Sequence, residues 1–172
     1  KPLLLAWSDP SVDILATEIL PHERDVYHRL GFWFRSATRS MARPTEPLEV
    51  SWPHVVRVSA PKEAGLREIA QLLFEVIYEP LTGLVAGRSS LESQVRQLQR
   101  GFRLFGASDT LRQASRVVFD RESGEIIGAC LIGLAQDWPL VYDIAVHPRF
   151  QGRGLGTSML KHALASLHPH YP

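Results

Sequence analysis

A single cysteine, Cys130, stands in this chain of 172 residues, which excludes an internal disulfide and any zinc site built from several thiolates. Asparagine is absent altogether, and lysine is scarce, with 3 Lys against 16 Arg. Both biases read as genomic or thermal preferences and point to no chemistry. No run of 18 apolar residues occurs, so no membrane-spanning helix is expected. No charged segment followed by an apolar stretch opens the chain, so no secretory leader is expected. An excess of one charge is lacking too: 19 Lys and Arg face 18 Asp and Glu, for a net charge of +1. That balance provides no general field for nucleic acid or anionic lipid. The 7 histidines show no ligand spacing supported by carboxylates or thiols, so no metal is expected. What remains is a chain 45% hydrophobic and 22% charged, about one domain long, of the kind expected in a reducing cytoplasm.

Two apolar runs, Leu3–Trp7 and Val12–Ala16, read as strand candidates. His22–Leu30 reads as a helix that Gly31 ends, and Phe32–Met41 as a strand or small hairpin. Residues 44–53 hold three prolines and predict a linker or irregular connection, the best internal boundary in the chain. From His54 the pattern runs strand, helix, helix, strand, strand, strand, helix. The strand at 54–59 alternates. Leu66, Ile69, Leu73 and Ile77 lie at helical spacing after Pro61, and Leu91, Val95 and Leu98 stripe a second helix behind a capping-box pattern at Ser89 and Glu92. Ser115–Asp120, Glu125–Leu134 and Leu140–Val146 predict an antiparallel meander joined by short turns. Gly154–Leu167 predicts the last helix. The expected class is therefore mixed α+β, with a central, mostly antiparallel sheet flanked by helices.

The chemistry gathers at one place. Tyr142 to Thr157 reads as a strand, a turn with Pro148, a glycine-rich loop and a helix start. Gly152, Gly154 and Gly156 let the backbone approach a ligand closely. The free N–H groups and dipole of a helix start favour an anion. Thr157 adds a hydroxyl and Arg153 a positive charge, so the local expectation is a phosphate or pyrophosphate cradle. The dinucleotide spacing G-x-G-x-x-G fails, because Thr157 or Met159 stands where the third glycine belongs, and no Gly-Lys-Ser/Thr sequence provides a Walker loop.

The whole string is more specific. Gln151-x-x-Gly154-x-Gly156, following Val146-His147-Pro148, resembles the acetyl-CoA signature of the GNAT superfamily of N-acetyltransferases. The resemblance extends back through the meander and both helices, so that residues 54–172 are similar to the front half of a GNAT domain. Tyr27-x-x-x-Gly31-Phe32 is similar to the end of a helix in the family's back half, so residues 1–43 resemble that half in reversed order. A circular permutation, an excerpt from tandem domains, or an exchange of halves between two chains would each produce this order.

The resemblance implies an acyl-CoA N-acyltransferase fold and transfer of acetyl from acetyl-CoA to a primary amine on a small molecule or a protein, by direct attack in a ternary complex. The alternative it leaves open is a non-catalytic module that binds acyl-CoA. It assigns the pyrophosphate to Gln151, Gly152, Arg153, Gly154, Gly156 and Thr157, and the pantetheine arm to the backbone of Ile144 and Val146. The N–H of Ile144 is the implied donor to the thioester carbonyl. Asp143 is the first candidate for the base that deprotonates the amine, and Tyr27 for the acid that protonates the leaving thiolate. Acceptor recognition is assigned to Tyr78–Ser89 and Trp33–Met41, where no code is legible. No nucleic acid, membrane or metal is expected as a partner, while a homodimer is compatible with exchanged halves. Cys130 reads as a buried core thiol.

Overall fold

The computed structural model describes residue 19 and residues 21–32, 41–78, 90–105, 108–135 and 137–171. The apolar runs at 3–7 and 12–16, the strands expected at 33–40 and the loop at 79–89 lie outside the described residues.

A 3-10 turn, Pro21–Glu23, leads into α1 (Arg24–Arg29). Gly31 ends that helix with φ +89°, as expected. The N–H of Phe32 bonds the carbonyl of Tyr27 at 3.0 Å and that of Gly31 bonds His28 at 3.0 Å. This pair of bonds is the Schellman stop, which brings a hydrophobic contact with it. Here the contact is Tyr27 edge-on to Phe32, with ring centroids 5.5 Å apart. Helix α1 buries none of its residues.

Four strands form one antiparallel sheet in the order β1 (Val56–Ser59), β2 (Arg116–Asp120), β3 (Ile126–Ala135) and β4 (Trp138–Val146). Between β1 and β2 come α2 (Leu66–Leu73), which passes into a π-helical turn at Phe74–Tyr78, then α3 (Leu91–Phe105) and α4 (Asp109–Ala114). After β4 comes α5 (Leu155–Leu167). The capping hydroxyl of α3 is that of Ser90, which accepts from the N–H of Ser93 at 3.2 Å, one residue beyond the expected position. The short α4 was not foreseen. Ser108 caps it, accepting from the N–H of Leu111, and its worth lies in burying Leu111 and Ala114 completely.

Alternation along the strands splits the core in two. Val56, Val118, Ile127, Cys130 and Ile132 meet Leu155, Met159 and Ala163 of α5, together with α4. Val117, Ala129 and Ala145 meet Leu66, Ile69, Leu73, Val95 and Leu98 of α2 and α3. The result is helices on both faces of one sheet, and among the described residues β4 is an edge strand. At Gly128 an added Cβ would lie 3.4 Å from Met159 Cε and from Val118 Cβ, so glycine there lets α5 approach the sheet.

The Pro-rich segment has no regular structure, as its prolines require, and it is fastened along α5. Ser158 donates to the Ser51 carbonyl at 2.9 Å, Trp52 lies 6.5 Å from the His162 ring, and Thr45 bonds the Tyr171 carbonyl.

Strand β4 starts two residues earlier than its sequence suggests, at Trp138-Pro139. The register explains why proline is tolerated. His147 N–H bonds the Ile127 carbonyl at 2.8 Å, so alternate β3 residues from Ile127 onward direct their backbone groups at β4. Gly133 and Ala135 belong to that set and pair with Leu140 and Trp138. Pro139 therefore turns its donor-less nitrogen outward, where a strand accommodates it. The register shifts between Leu131 and Ile132, which face Asp143 and Val141. Tyr142 is the extra residue of that bulge.

Candidate functional site

The same register fixes what β4 offers at its open side. Ala145 and Asp143 are hydrogen-bonded across to Ala129 and Leu131, so Ile144 and Val146 point their N–H and C=O groups away from β3. Their side chains pack toward α5, whereas Ala145 packs toward α2 and α3. By alternation Asp143 shares that second face, and it is half-buried there.

Beyond Val146 the chain makes a 3-10 turn at Pro148–Phe150, capped by His147 Nδ1, which accepts from the Arg149 N–H at 3.3 Å. The loop then curls through two left-handed residues, Gly152 at φ +73° and Gly154 at φ +78°. Gly154 is the N-cap residue of α5, and having no side chain it makes no capping hydrogen bond. The first i to i−4 bond is that of Ser158 to Gly154. Helix geometry thus leaves the N–H groups of Leu155, Gly156 and Thr157 without such a partner. No acidic residue stands in the first turn of α5. From Ile144 to the end of the sequence there is no Asp or Glu, while Arg149, Arg153 and Lys161 are present.

These two sets of donors line one open cleft of about 550 Å³, walled by Ile144, Val146, Gln151, Gly152, Gly154, Gly156 and Thr157, with Ala145, Phe150 and Leu155. The structure therefore brings seven of the residues expected from sequence around one space. Ala145, Phe150 and Leu155 were missed, because an alanine within a strand, an aromatic beside a proline turn and a leucine at a helix start carry no signal of their own. Arg153 is not part of the wall. Its guanidinium lies 5.0 Å from the Phe150 ring centre and donates to the Arg149 carbonyl at 3.1 Å. Asp143 lies beside the wall, one residue from Ile144 and on the opposite face of the strand. Tyr27 is half-buried, and its ring contact among the described residues is with Phe32.

A second, smaller cavity of about 50 Å³ lies between α3 and β3, lined mainly by apolar groups such as Leu66, Leu98, Phe102 and Ile132. At its edge Gln97 donates to the Tyr142 hydroxyl at 2.7 Å, tying α3 to the bulge.

Titratable groups away from the cleft have structural surroundings. Cys130 is fully buried, and burial pushes its thiol up to about 12, as suits a core side chain. His162 is half-buried with Nε2 2.9 Å from the Gln113 carbonyl and 3.0 Å from Ser166 Oγ. The carbonyl only accepts, so Nε2 carries the proton, and Ser166 finds no base there. Burial first, and then the charge of Arg116, hold His162 below its ordinary value against the raising effect of the Gln113 bond. Among the described residues no three His, Cys, Asp or Glu side chains cluster as a metal site, and no helix is long and apolar enough to cross a membrane.

A family model described as the acetyltransferase (GNAT) family matches residues 84–169. Among solved structures, a GCN5-related N-acetyltransferase from Sphaerobacter thermophilus superposes with a TM-score of 0.56 at 16% identity, covering 74% of this chain and 36% of that one. A protein from Pyrococcus horikoshii assigned as an acetyltransferase gives 0.50 at 13% identity, covering 68% and 36%. This chain thus spans about a third of the length of those two proteins, and at such identities the likeness is one of fold. Comparison with curated proteins finds no match.

Proposed function

Because this chain belongs to the acetyltransferase (GNAT) family, we propose that it carries the acetyl-CoA site of an N-acetyltransferase whose acceptor is a primary amine. One observation carries the reading: the uncapped start of α5 and the outward backbone of β4 line the same cleft of about 550 Å³. The donors fit the group. An anion is favoured by unpartnered helix N–H groups in a stretch free of carboxylates. An amide-bearing arm is favoured by a strand edge that offers both N–H and C=O.

Bound acetyl-CoA supplies an acetyl thioester. The N–H groups of Gly152 to Thr157 hold its pyrophosphate, and Thr157 adds a hydroxyl. The edge groups of Val146 and Ile144 align its arm as an added strand would. The N–H of Ile144 donates to the carbonyl oxygen, where negative charge gathers during attack; a donor of this kind is worth on the order of 3 kcal/mol in acyl transfer. An ammonium of ordinary pKa about 10.4 is not a nucleophile. Asp143, beside Ile144, takes its proton directly or through one water. The Tyr27 hydroxyl is the remaining candidate, as donor to the leaving thiolate.

The reading is tested by titrating the protein with CoA and acetyl-CoA calorimetrically, then measuring thiol release with a panel of primary amines. Saturable binding and amine-dependent thiol release are expected, and Asp143→Asn is expected to lower kcat with little change in the affinity for acetyl-CoA. Binding without release for any amine leaves an acyl-CoA-binding module. No binding of either nucleotide overturns the reading. Tyr27→Phe keeps the ring contact with Phe32 and removes only the hydroxyl. Unchanged stability and a lower kcat are expected, as removal of the acid requires; an unchanged kcat would leave Tyr27 to the helix stop alone.

A further inference from the structure

We propose that Gln151 is a positioning residue that staples the anion-binding loop to the end of β4, fixing the distance between the two halves of the cleft. The proposal rests on the acetyl-CoA reading for its functional consequence and on geometry for the staple itself.

Gln151 Nε2 donates to the Val146 carbonyl at 2.9 Å. The contact reaches back across the whole turn, from the first residue of the glycine loop to the last residue of the strand. The Val146 carbonyl belongs to the outward set on the open side of β4, so the staple ends inside the cleft. The loop needs such a constraint. Gly152 and Gly154 both have positive φ, and an added Cβ at either would meet nothing within 4 Å. The side of each residue where a Cβ would stand is open, and glycine on its own is free to leave that conformation. Apart from the His147 N–H bond to Ile127 on β3, the other bonds of the turn join its members to one another: Arg149 to His147, Phe150 to the His147 carbonyl, the Gln151 N–H to the Pro148 carbonyl, and Arg153 to the Arg149 carbonyl. The Gln151 bond alone among these side-chain contacts ties the loop to the outward edge of the strand.

The arrangement costs the site nothing. A carbonyl oxygen has two acceptor lobes, so Val146 keeps one for a ligand amide while Gln151 holds the other. A ligand that spans both halves benefits from having them set beforehand, whereas one that touches a single half gains less.

The test compares wild type with Gln151→Met, which keeps length and removes the donor, using CoA, adenosine 3′,5′-bisphosphate and pantetheine as separate probes. The expected result is CoA affinity weakened about fivefold, the size of one exposed hydrogen bond, with smaller losses for the two fragments. In the ligand-free protein, 15N order parameters of Gly152 and Gly154 should fall while the unfolding midpoint stays put. Equal losses for CoA and the bisphosphate would show Gln151 contacting phosphate directly and overturn the staple. Unchanged affinity for all three probes, or unchanged order parameters, would also overturn it. If wild type binds no CoA, the acetyl-CoA reading falls, and the order parameters alone decide whether the staple exists.

Discussion

Three glycines in one loop invite a single explanation, yet the structure separates them. Gly154 sits at φ +78° with open space around its missing Cβ, so its requirement is conformational. Gly156 lies inside α5, and its Cβ would touch Val146 Cγ2 at an ordinary 4.0 Å. Gly154→Ala is therefore expected to destabilise by about 1–2 kcal/mol, the cost of a left-handed non-glycine residue. Gly156→Ala is expected to be neutral, or to stabilise by up to about 1 kcal/mol through helix propensity. Urea unfolding of the two variants measures the difference. The sequence showed which residues surround the cleft because backbone chemistry needs glycine, and glycine is visible. It did not show that Arg153 lies over Phe150, since a surface arginine's direction is set by neighbours that no spacing encodes. Nor did it show that Tyr27 and Phe32 belong to one helix stop, a reading that needed the two hydrogen bonds of the Schellman turn.

Among the elements, α5 is the one on which most depends: its start lines the cleft, one face closes the core, and the Pro-rich segment lies along it. His162 stands at that last junction, between the Gln113 carbonyl and Trp52. Its folded-state pKa is lowered, chiefly by burial, so the unfolded chain takes up the proton first as pH falls. Stability at this group is therefore intact above about 6.5, the ordinary value, and is lost progressively as pH drops toward the lower folded value. Comparing unfolding midpoints at pH 7.5 and pH 5 should show a smaller acid loss for His162→Gln than for wild type. Long periodic elements were legible: α2, β2, β3 and α5 fall within a residue or so of expectation once their flanking 3-10 and π turns are set aside. What escaped was short or contextual. Helix α4 is six residues long, too brief for a period, and Pro139 read as a turn because only the partner strand reveals that its nitrogen faces outward.

For the whole molecule, charge is distributed unevenly although the total is near zero. The chain from Ile144 onward carries arginine and lysine without any carboxylate, which gives the cleft a positive setting that composition conceals. Raising NaCl from 50 mM to 0.5 M should weaken CoA binding by severalfold while leaving pantetheine nearly unaffected, because shortening the screening length from about 14 Å to about 4 Å acts on the phosphates. At a hundred times its Kd, CoA should stabilise the fold by about 2.7 kcal/mol, which a thermal melt would record. Among the described residues β4 is an edge strand, with Trp138 at 72% exposure and Leu140 and Val141 also exposed, the kind of apolar edge along which copies of a protein accrete. Yet its outward backbone groups fall at Pro139 and Val141 and then, past Tyr142, at Ile144 and Val146. An approaching regular strand repeats every two residues, so it loses step at the gap of three and finds no donor at Pro139. The extra residue in β4 thus makes the edge a poor template for fibrous growth, while leaving its far end open to a chain that is not a polypeptide.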